Sequence, residues 1–321
     1  MEILKAILFG IVEGVTEWLP ISSTGHLILL NEWVKFNLDP AREAAFMEFY
    51  DIVIQLAAIL AVVVIYWKVL WPFGIAKQNH GDGPRGSEEK NHEVRPHGSA
   101  RGKKKNRDEQ VWKLFGNVVV KQKIFWMWVK IVIACIPGVL YGLLLDELVE
   151  KVTAPYKAII VAVMLILVGI LFIIIETKHK GVRPKIKTIP DLTWQIALAI
   201  GFCQLIAAAL PGTSRSGATI IAGLMLGLSR QVAANFTFFL AIPTMAGASL
   251  VKLFKFLGKG MTFTGPELTI LIVTSVTAFL VSLVAIQFLT LYIGKNKDFK
   301  PFGWYRIVLG ALVLLYFIVL K

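Results

Sequence analysis

Charge is scarce in this 321-residue chain, and acidic charge scarcer than basic: Asp and Glu number 21 against 34 Lys and Arg, and charged residues together make up 17%. A soluble domain carries about a quarter charged residues. That shortfall, with 56% hydrophobic content and a mean hydropathy of +0.68, argues against a water-soluble protein. Cysteine is nearly missing too. Cys135 and Cys203 stand alone in apolar segments with no CxxC or Cys/His spacing, so they read as small buried hydrophobes and not as a redox or thiol metal motif. No cleavable signal peptide is expected, because Glu2, Glu13 and Glu17 break the first apolar stretch and no small-residue cleavage site follows. The net charge of +13 sits mostly in connections, which points to membrane orientation and anionic lipid and away from nucleic acid.

What is abundant is long apolar runs. Residues 52–67, 124–145, 156–175, 236–254, 268–293 and 303–320 each approach the roughly 20 residues that span a bilayer. The chain is expected to be an all-α polytopic membrane protein forming one integral-membrane domain over 1–321. Three connections are basic: 71–124, 177–187 and 295–300. The one at 146–155 is acidic, with Asp146, Glu147 and Glu150. The positive-inside rule puts the basic connections in the cytoplasm. That works only if 1–38 and 192–230, each broken at Leu-Pro, enter and leave on one face as re-entrant helical hairpins. Six transmembrane helices and two hairpins result, with both termini and 146–155 outside. Residues 77–110, polar and basic, read as a solvated cytoplasmic loop. The spacing of His80, His92 and His97 in it fits no metal site.

A shift of 191 residues aligns Gly10 with Gly201, Glu13 with Gln204, Leu19-Pro20 with Leu210-Pro211, and Ser22-Ser23 with Thr213-Ser214. The halves, about 1–176 and 192–321, then hold one hairpin and three spans each. An odd number of spans makes them an inverted-topology repeat with broken helices meeting near the midplane. Trp18, Trp33, Trp67, Trp71, Trp126, Trp128, Trp194 and Trp304 fall near span or hairpin ends, as an interfacial belt would.

Two polar stretches interrupt this chain where hydrocarbon should exclude them: Glu13 to His26 and Leu210 to Gly217. Groups of that kind are costly when unpaired in a membrane, so their retention marks a site. Glu13 and Glu17, four apart, share one helix face. They could chelate a hard divalent ion, share a proton, or pair with Arg215; oxygen ligands without thiols favour Mg²⁺ or Ca²⁺. Pro20 stops the first helix, so Ser22, Ser23 and Thr24 fall at the N-terminus of the next, where free N–H groups suit a phosphate. His26 lies one turn on and could serve a serine as base or acid. Pro211-Gly212 breaks the second hairpin, with Thr213 and Ser214 expected to cap the following helix. Arg215 offers a bidentate fork to phosphate oxygens, and Gly212 and Gly217 allow close backbone approach. Two helix N-termini, an arginine and a carboxylate pair describe a clamp for a diphosphate.

At these residues the chain resembles the undecaprenyl-diphosphate phosphatase family, the bacitracin-resistance membrane enzymes. Glu-x-x-x-Glu is Glu13/Glu17, Ser-Ser-Thr-Gly-His is Ser22 to His26, and Pro-Gly-x-Ser-Arg-Ser is Pro211 to Ser216. The 77–110 stretch is the main departure and leaves the motifs untouched. The resemblance implies divalent-cation-dependent hydrolysis of undecaprenyl diphosphate to undecaprenyl phosphate and inorganic phosphate, which recycles the lipid carrier of peptidoglycan synthesis and gives bacitracin resistance. A bacterial cell membrane location follows, with the site open toward the outer face. Expected catalytic residues are Glu17, Ser23, His26 and Arg215; Ser22, Thr24, Gly212, Thr213, Ser214 and Ser216 bind substrate, and Glu13 and Glu17 hold the metal. Attack by Ser23, with His26 and Glu17 handling protons, and direct attack by water both remain open. Partners are the polyprenyl diphosphate and the membrane, with no nucleic acid; a homodimer is compatible. The rival is a polyprenyl-phosphate flippase using the same midplane site. A type-2 phosphatidic-acid phosphatase is disfavoured, since no histidine follows Ser214-Arg215.

Overall fold

The structure, a computed structural model, describes residues 1–75, 111–115, 118–258 and 262–320. The expectations for 77–110, including His80, His92 and His97, lie outside the described residues. In chain order the helices are α1 (Glu2–Thr16), α2 (Ser23–Trp33), α3 (Pro40–Leu70), α4 (Gln122–Leu144), α5 (Asp146–Thr153), α6 (Lys157–Lys178), α7 (Trp194–Ala209), α8 (Arg215–Met225), α9 (Arg230–Gly258), α10 (Gly265–Gly294) and α11 (Lys300–Leu315).

Six helical stretches are long and apolar enough to cross a bilayer: Pro40–Leu70, Gln122–Leu144, Asp146–Lys178, Arg230–Phe254, Gly265–Gly294 and Lys300–Ile318. Each overlaps one of the six expected spans. Their outward surfaces are apolar, with Leu143 and Leu144 both 73% exposed and Val284 67%, as lipid-facing side chains should be. The protein is a multi-pass membrane protein.

The remaining apolar pairs, α1–α2 and α7–α8, are too short to span singly, and the sequence shows why they break. Pro20 has no N–H to donate to the Thr16 carbonyl, so α1 ends at Thr16. Pro211 excludes helical geometry at Leu210, which is extended at φ −116°, ψ 99°. Both chains re-enter helix through a serine of positive φ, Ser22 at 73° and Ser214 at 67°. These two serines are 192 residues apart, one more than the 191-residue offset.

Packing joins helices far apart in the chain. α1 lies along α10 as α7 lies along α4, α6 crosses α11, and α3 meets α9. In lipid no hydrophobic force draws helices together, so close approach through small residues carries the association. A Cβ on Gly201 would lie 2.3 Å from the Ala134 carbonyl oxygen, and one on Gly10 2.7 Å from that of Thr274. The main apolar core gathers around Trp18, Phe172, Phe238 and Phe239. Trp18 therefore departs from the expected interfacial belt: it is fully buried, edge-on to Phe238 at 5.5 Å. A hairpin tip turned inward removes it from the interface. A second departure lies within the 71–124 connection, which holds a three-stranded antiparallel sheet of β1 (Phe73–Ile75), β2 (Val111–Phe115) and β3 (Val118–Lys121), ordered β1-β3-β2.

Candidate active site

The two hairpin tips meet. Glu17, the residue after α1, is the joint between them. Its Oε1 takes an ion pair from Arg215 Nη2 at 2.8 Å, and its Oε2 accepts from Ser23 Oγ at 2.9 Å. Ser216 Oγ donates to the Glu17 backbone carbonyl at 3.3 Å. One carboxylate from the first tip thus orients a hydroxyl of its own hairpin and the guanidinium of the other. Such charge-assisted bonds are the stronger kind, and they need partial burial to resist screening. Glu17 is buried, and Arg215 and Ser23 are half-buried.

Around this joint several buried polar atoms have no hydrogen-bond partner among the described residues: Glu13 Oε1 and Oε2, Ser22 Oγ and Arg215 Nη1. Leaving such groups unpaired costs about 1–3 kcal/mol each, more when charged. A fold keeps that cost where a ligand is to be met. The unpaired atoms are a carboxylate, a guanidinium nitrogen and a hydroxyl, the donor and acceptor types that a phosphate group and a hard cation would need. Glu13, fully buried and one helical turn before Glu17, is the open oxygen donor; the donor set suits Mg²⁺ or Ca²⁺. No group of three or more His, Cys, Asp or Glu gathers among the described residues, so water and substrate oxygens would complete the shell.

The serines at the two N-caps differ. Ser214 Oγ accepts from Gly217 N at 3.2 Å and contacts Ser216 Oγ at 3.1 Å, which caps α8. Ser22 makes no cap bond to α2. Thr213, expected to cap, instead donates from Oγ1 to the Leu210 carbonyl at 2.7 Å, because it sits one residue before the cap and closes the turn. Gly212, at φ 90°, brings its backbone against Val161, where a Cβ would lie 2.6 Å from Val161 Cα. His26 is not bonded to a serine hydroxyl. Its Nδ1 meets the Ser22 carbonyl at 2.8 Å and its Nε2 the Tyr305 hydroxyl at 2.7 Å, with the two rings stacked. Thr24 lies half-buried in the first turn of α2.

Sequence reasoning placed a span at 303–320 but missed what α11 brings to the site. Arg306 is fully buried and donates from Nη1 to the Pro20 carbonyl at 3.3 Å, and from Nη2 to the Gly212 and Thr213 carbonyls at 2.9 Å each. It grips both tips just upstream of their positive-φ serines. Its neighbour Tyr305 holds His26. The signal was available: an arginine inside an apolar membrane segment is a functional-site candidate by default.

A family model described as "Bacitracin resistance protein BacA" matches residues 6–312. Among curated proteins, the undecaprenyl-diphosphatase of Desulfitobacterium hafniense is 51% identical over 317 residues, covering 99% of this chain and 96% of its own. That of Lachnoclostridium phytofermentans is 48% identical over 321 residues, covering 100% and 99%. Undecaprenyl-diphosphatase 1 of Clostridium acetobutylicum is 46% identical over 319 residues, covering 99% and 98%.

Proposed function

The chain belongs to the BacA bacitracin-resistance family, and from that membership we propose that it hydrolyses undecaprenyl diphosphate to undecaprenyl phosphate and inorganic phosphate. It is a membrane hydrolase acting on a phosphoanhydride bond, and its activity recycles the lipid carrier and confers bacitracin resistance. The relatives' names support this reading, and none supports a polyprenyl-phosphate flippase.

The observation that carries the mechanism is the Ser23–Glu17–Arg215 chain across the two tips. Glu17 Oε2 is placed to take the Ser23 proton as Oγ attacks the terminal phosphorus, and undecaprenyl phosphate leaves with the bridging oxygen. Water then hydrolyses the phosphoserine. Direct attack by water, with Glu17 as base, uses the same residues. Arg215 presents its unpaired Nη1, and the α2 and α8 N-termini their free N–H groups, to the phosphoryl oxygens. Ser22, Thr24, Gly212, Thr213, Ser214 and Ser216 shape that pocket. His26, steadied by Tyr305, is placed to exchange protons at the α2 end. A divalent cation held by Glu13 and Glu17 would neutralise charge developing on the phosphoryl oxygens. Arg306 keeps the tips in register through their carbonyls.

The inverted-repeat and re-entrant reading, with halves at about 1–176 and 192–321, draws support from the reciprocal helix contacts and the matching positive-φ serines. The loop charges support a site opening to the outer face of a bacterial cell membrane, with the basic connections inside. No nucleic-acid partner belongs to this reading, and a homodimer is compatible with it.

The deciding experiment is phosphate release from undecaprenyl diphosphate by purified protein in detergent, with Mg²⁺ or Ca²⁺ and then with chelator. Release that stops with chelator and in Glu17→Gln supports the proposal; no release under any cation contradicts it. A phosphoserine trapped at Ser23 would select the covalent route, and a nearly fully active Ser23→Ala the water route.

A further inference from the structure

The sheet in the connection between α3 and α4 has two unlike faces. Its pairing sets Phe73 and Trp112 opposite Val120, and Ile75 opposite Val118, so these five side chains share one face. The other face carries Val111 and Lys113 from β2, with Val119 and Lys121 opposite them. A two-faced sheet normally turns its apolar side to a core. Val120, on the central strand, is buried, but Phe73 is 42% exposed, Ile75 81%, Trp112 40% and Val118 40%, and beyond ring contacts from Trp71, Phe125 and Trp126 no aromatic ring of the described residues is recorded against them.

The apolar face does not end at the sheet. Trp71, stacked on Trp67 at the end of α3, meets the Phe73 ring edge-on at 5.5 Å. Trp112 meets Phe125 at 5.2 Å and Trp126 at 6.5 Å at the start of α4. The sheet thereby continues the aromatic ends of two membrane-crossing helices: Lys121 N donates to the carbonyl of Pro72, just past α3, at 2.8 Å, and Trp128 Nε1 of α4 donates to the Leu70 carbonyl of α3 at 2.8 Å, which holds the two helix ends beneath the sheet together. Indole rings favour the headgroup level of a bilayer, and lysines beside them favour anionic lipid. In water the same patch would be an aggregation liability.

We propose that this sheet is an interfacial foot: it lies along the leaflet on the side of the basic connections, with the Phe73–Ile75–Trp112 face in the headgroup–acyl boundary and Lys113 on the water side, within the field of anionic headgroups. The occupant of the face is the lipid surface itself, continuous with the bilayer around α3 and α4. The foot would brace the cytoplasmic ends of those helices.

Single spin labels at Ile75, Trp112 and Lys113, each in a Cys135→Ala, Cys203→Ala background, test this in nanodiscs of phosphatidylcholine with phosphatidylglycerol. Labels at 75 and 112 should be reached by oxygen and shielded from a water-soluble nickel chelate, with the reverse at 113. Removing phosphatidylglycerol should raise nickel access at 75 severalfold. Equal nickel access at all three sites would overturn the proposal by placing the sheet in water. Shielding of 75 and 112 from both reagents, with spin–spin broadening that depends on protein density, would overturn it by showing a second copy on that face. If the Trp112 variant fails to fold, the contrast between 75 and 113 decides alone.

Discussion

The first and second hairpin tips are built alike and finished differently. Both follow a helix stopped by proline, both turn through a serine near φ 70°, and both are held by Arg306 through carbonyls. The second tip is nearly satisfied: Ser214 caps its helix, and Thr213 closes the turn. The first is not. Ser22 caps nothing, and Glu13 sits fully buried with both oxygens unpaired. At the same level of the second hairpin stands Gln204, also buried, whose Oε1 is unpaired but which carries no charge. A neutral amide can be left there cheaply; a carboxylate cannot, unless a cation or proton meets it. On the proposed function, the reactive groups fall to the first tip and anion holding to the second, with Glu17 and Arg215 as the seam.

Cutting the seam should do the most. Glu17→Gln or Arg215→Ala is expected to lower phosphate release about 10³-fold, in line with removing a preorganised charge from a phosphoryl site. Next comes the grip that makes the tips equivalent. Arg306→Met strands three buried carbonyls and lets both serines shift; a displacement near 1 Å costs about 10²-fold in rate. The loss should fall on kcat more than KM, and Arg306→Lys should restore only part of it, since one ammonium cannot serve both tips. A KM-dominated loss would instead make Arg306 a substrate contact. The unequal helices α1 and α7 are sharpened by their matched polar residues. Glu13→Gln should raise the half-saturating divalent cation concentration about 10–100-fold, the range for losing metal-site support. Gln204→Ala should leave cation dependence unchanged. Smallest is Tyr305→Phe, which removes one hydrogen bond to His26, worth about 1 kcal/mol or roughly fivefold; it should change the pH profile of the rate more than its maximum.

Much of this was legible beforehand because the controlling physics is local. Apolar runs near bilayer length gave the six crossings, and Pro20 and Pro211 marked the breaks because a missing N–H stops a helix wherever it stands. The meeting of Glu17 with Arg215 was open as one of three fates for the carboxylates, and the structure shows the pair. What was not legible depended on contacts far apart in sequence. Arg306 reaches Pro20 across 286 positions and Gly212 across 94. Trp18 was placed in the interface because a hairpin end looks like a span end in one dimension. The sheet was missed because β1 pairs with a strand beyond a long polar stretch, and strands of three to five residues carry little periodicity of their own. Thr213 was expected to cap α8 together with Ser214 because both are good caps by composition; only the fold separates them, giving the cap to Ser214.

If one site spans both tips through the Glu17–Arg215 joint, a double-mutant cycle on phosphate release will show it. Residues acting as a unit give losses that do not multiply. Glu17→Gln with Arg215→Met should be no worse than the poorer single variant, within a few fold. A double variant showing the full product of both single losses would mean that the two hairpins act independently, and would contradict the account.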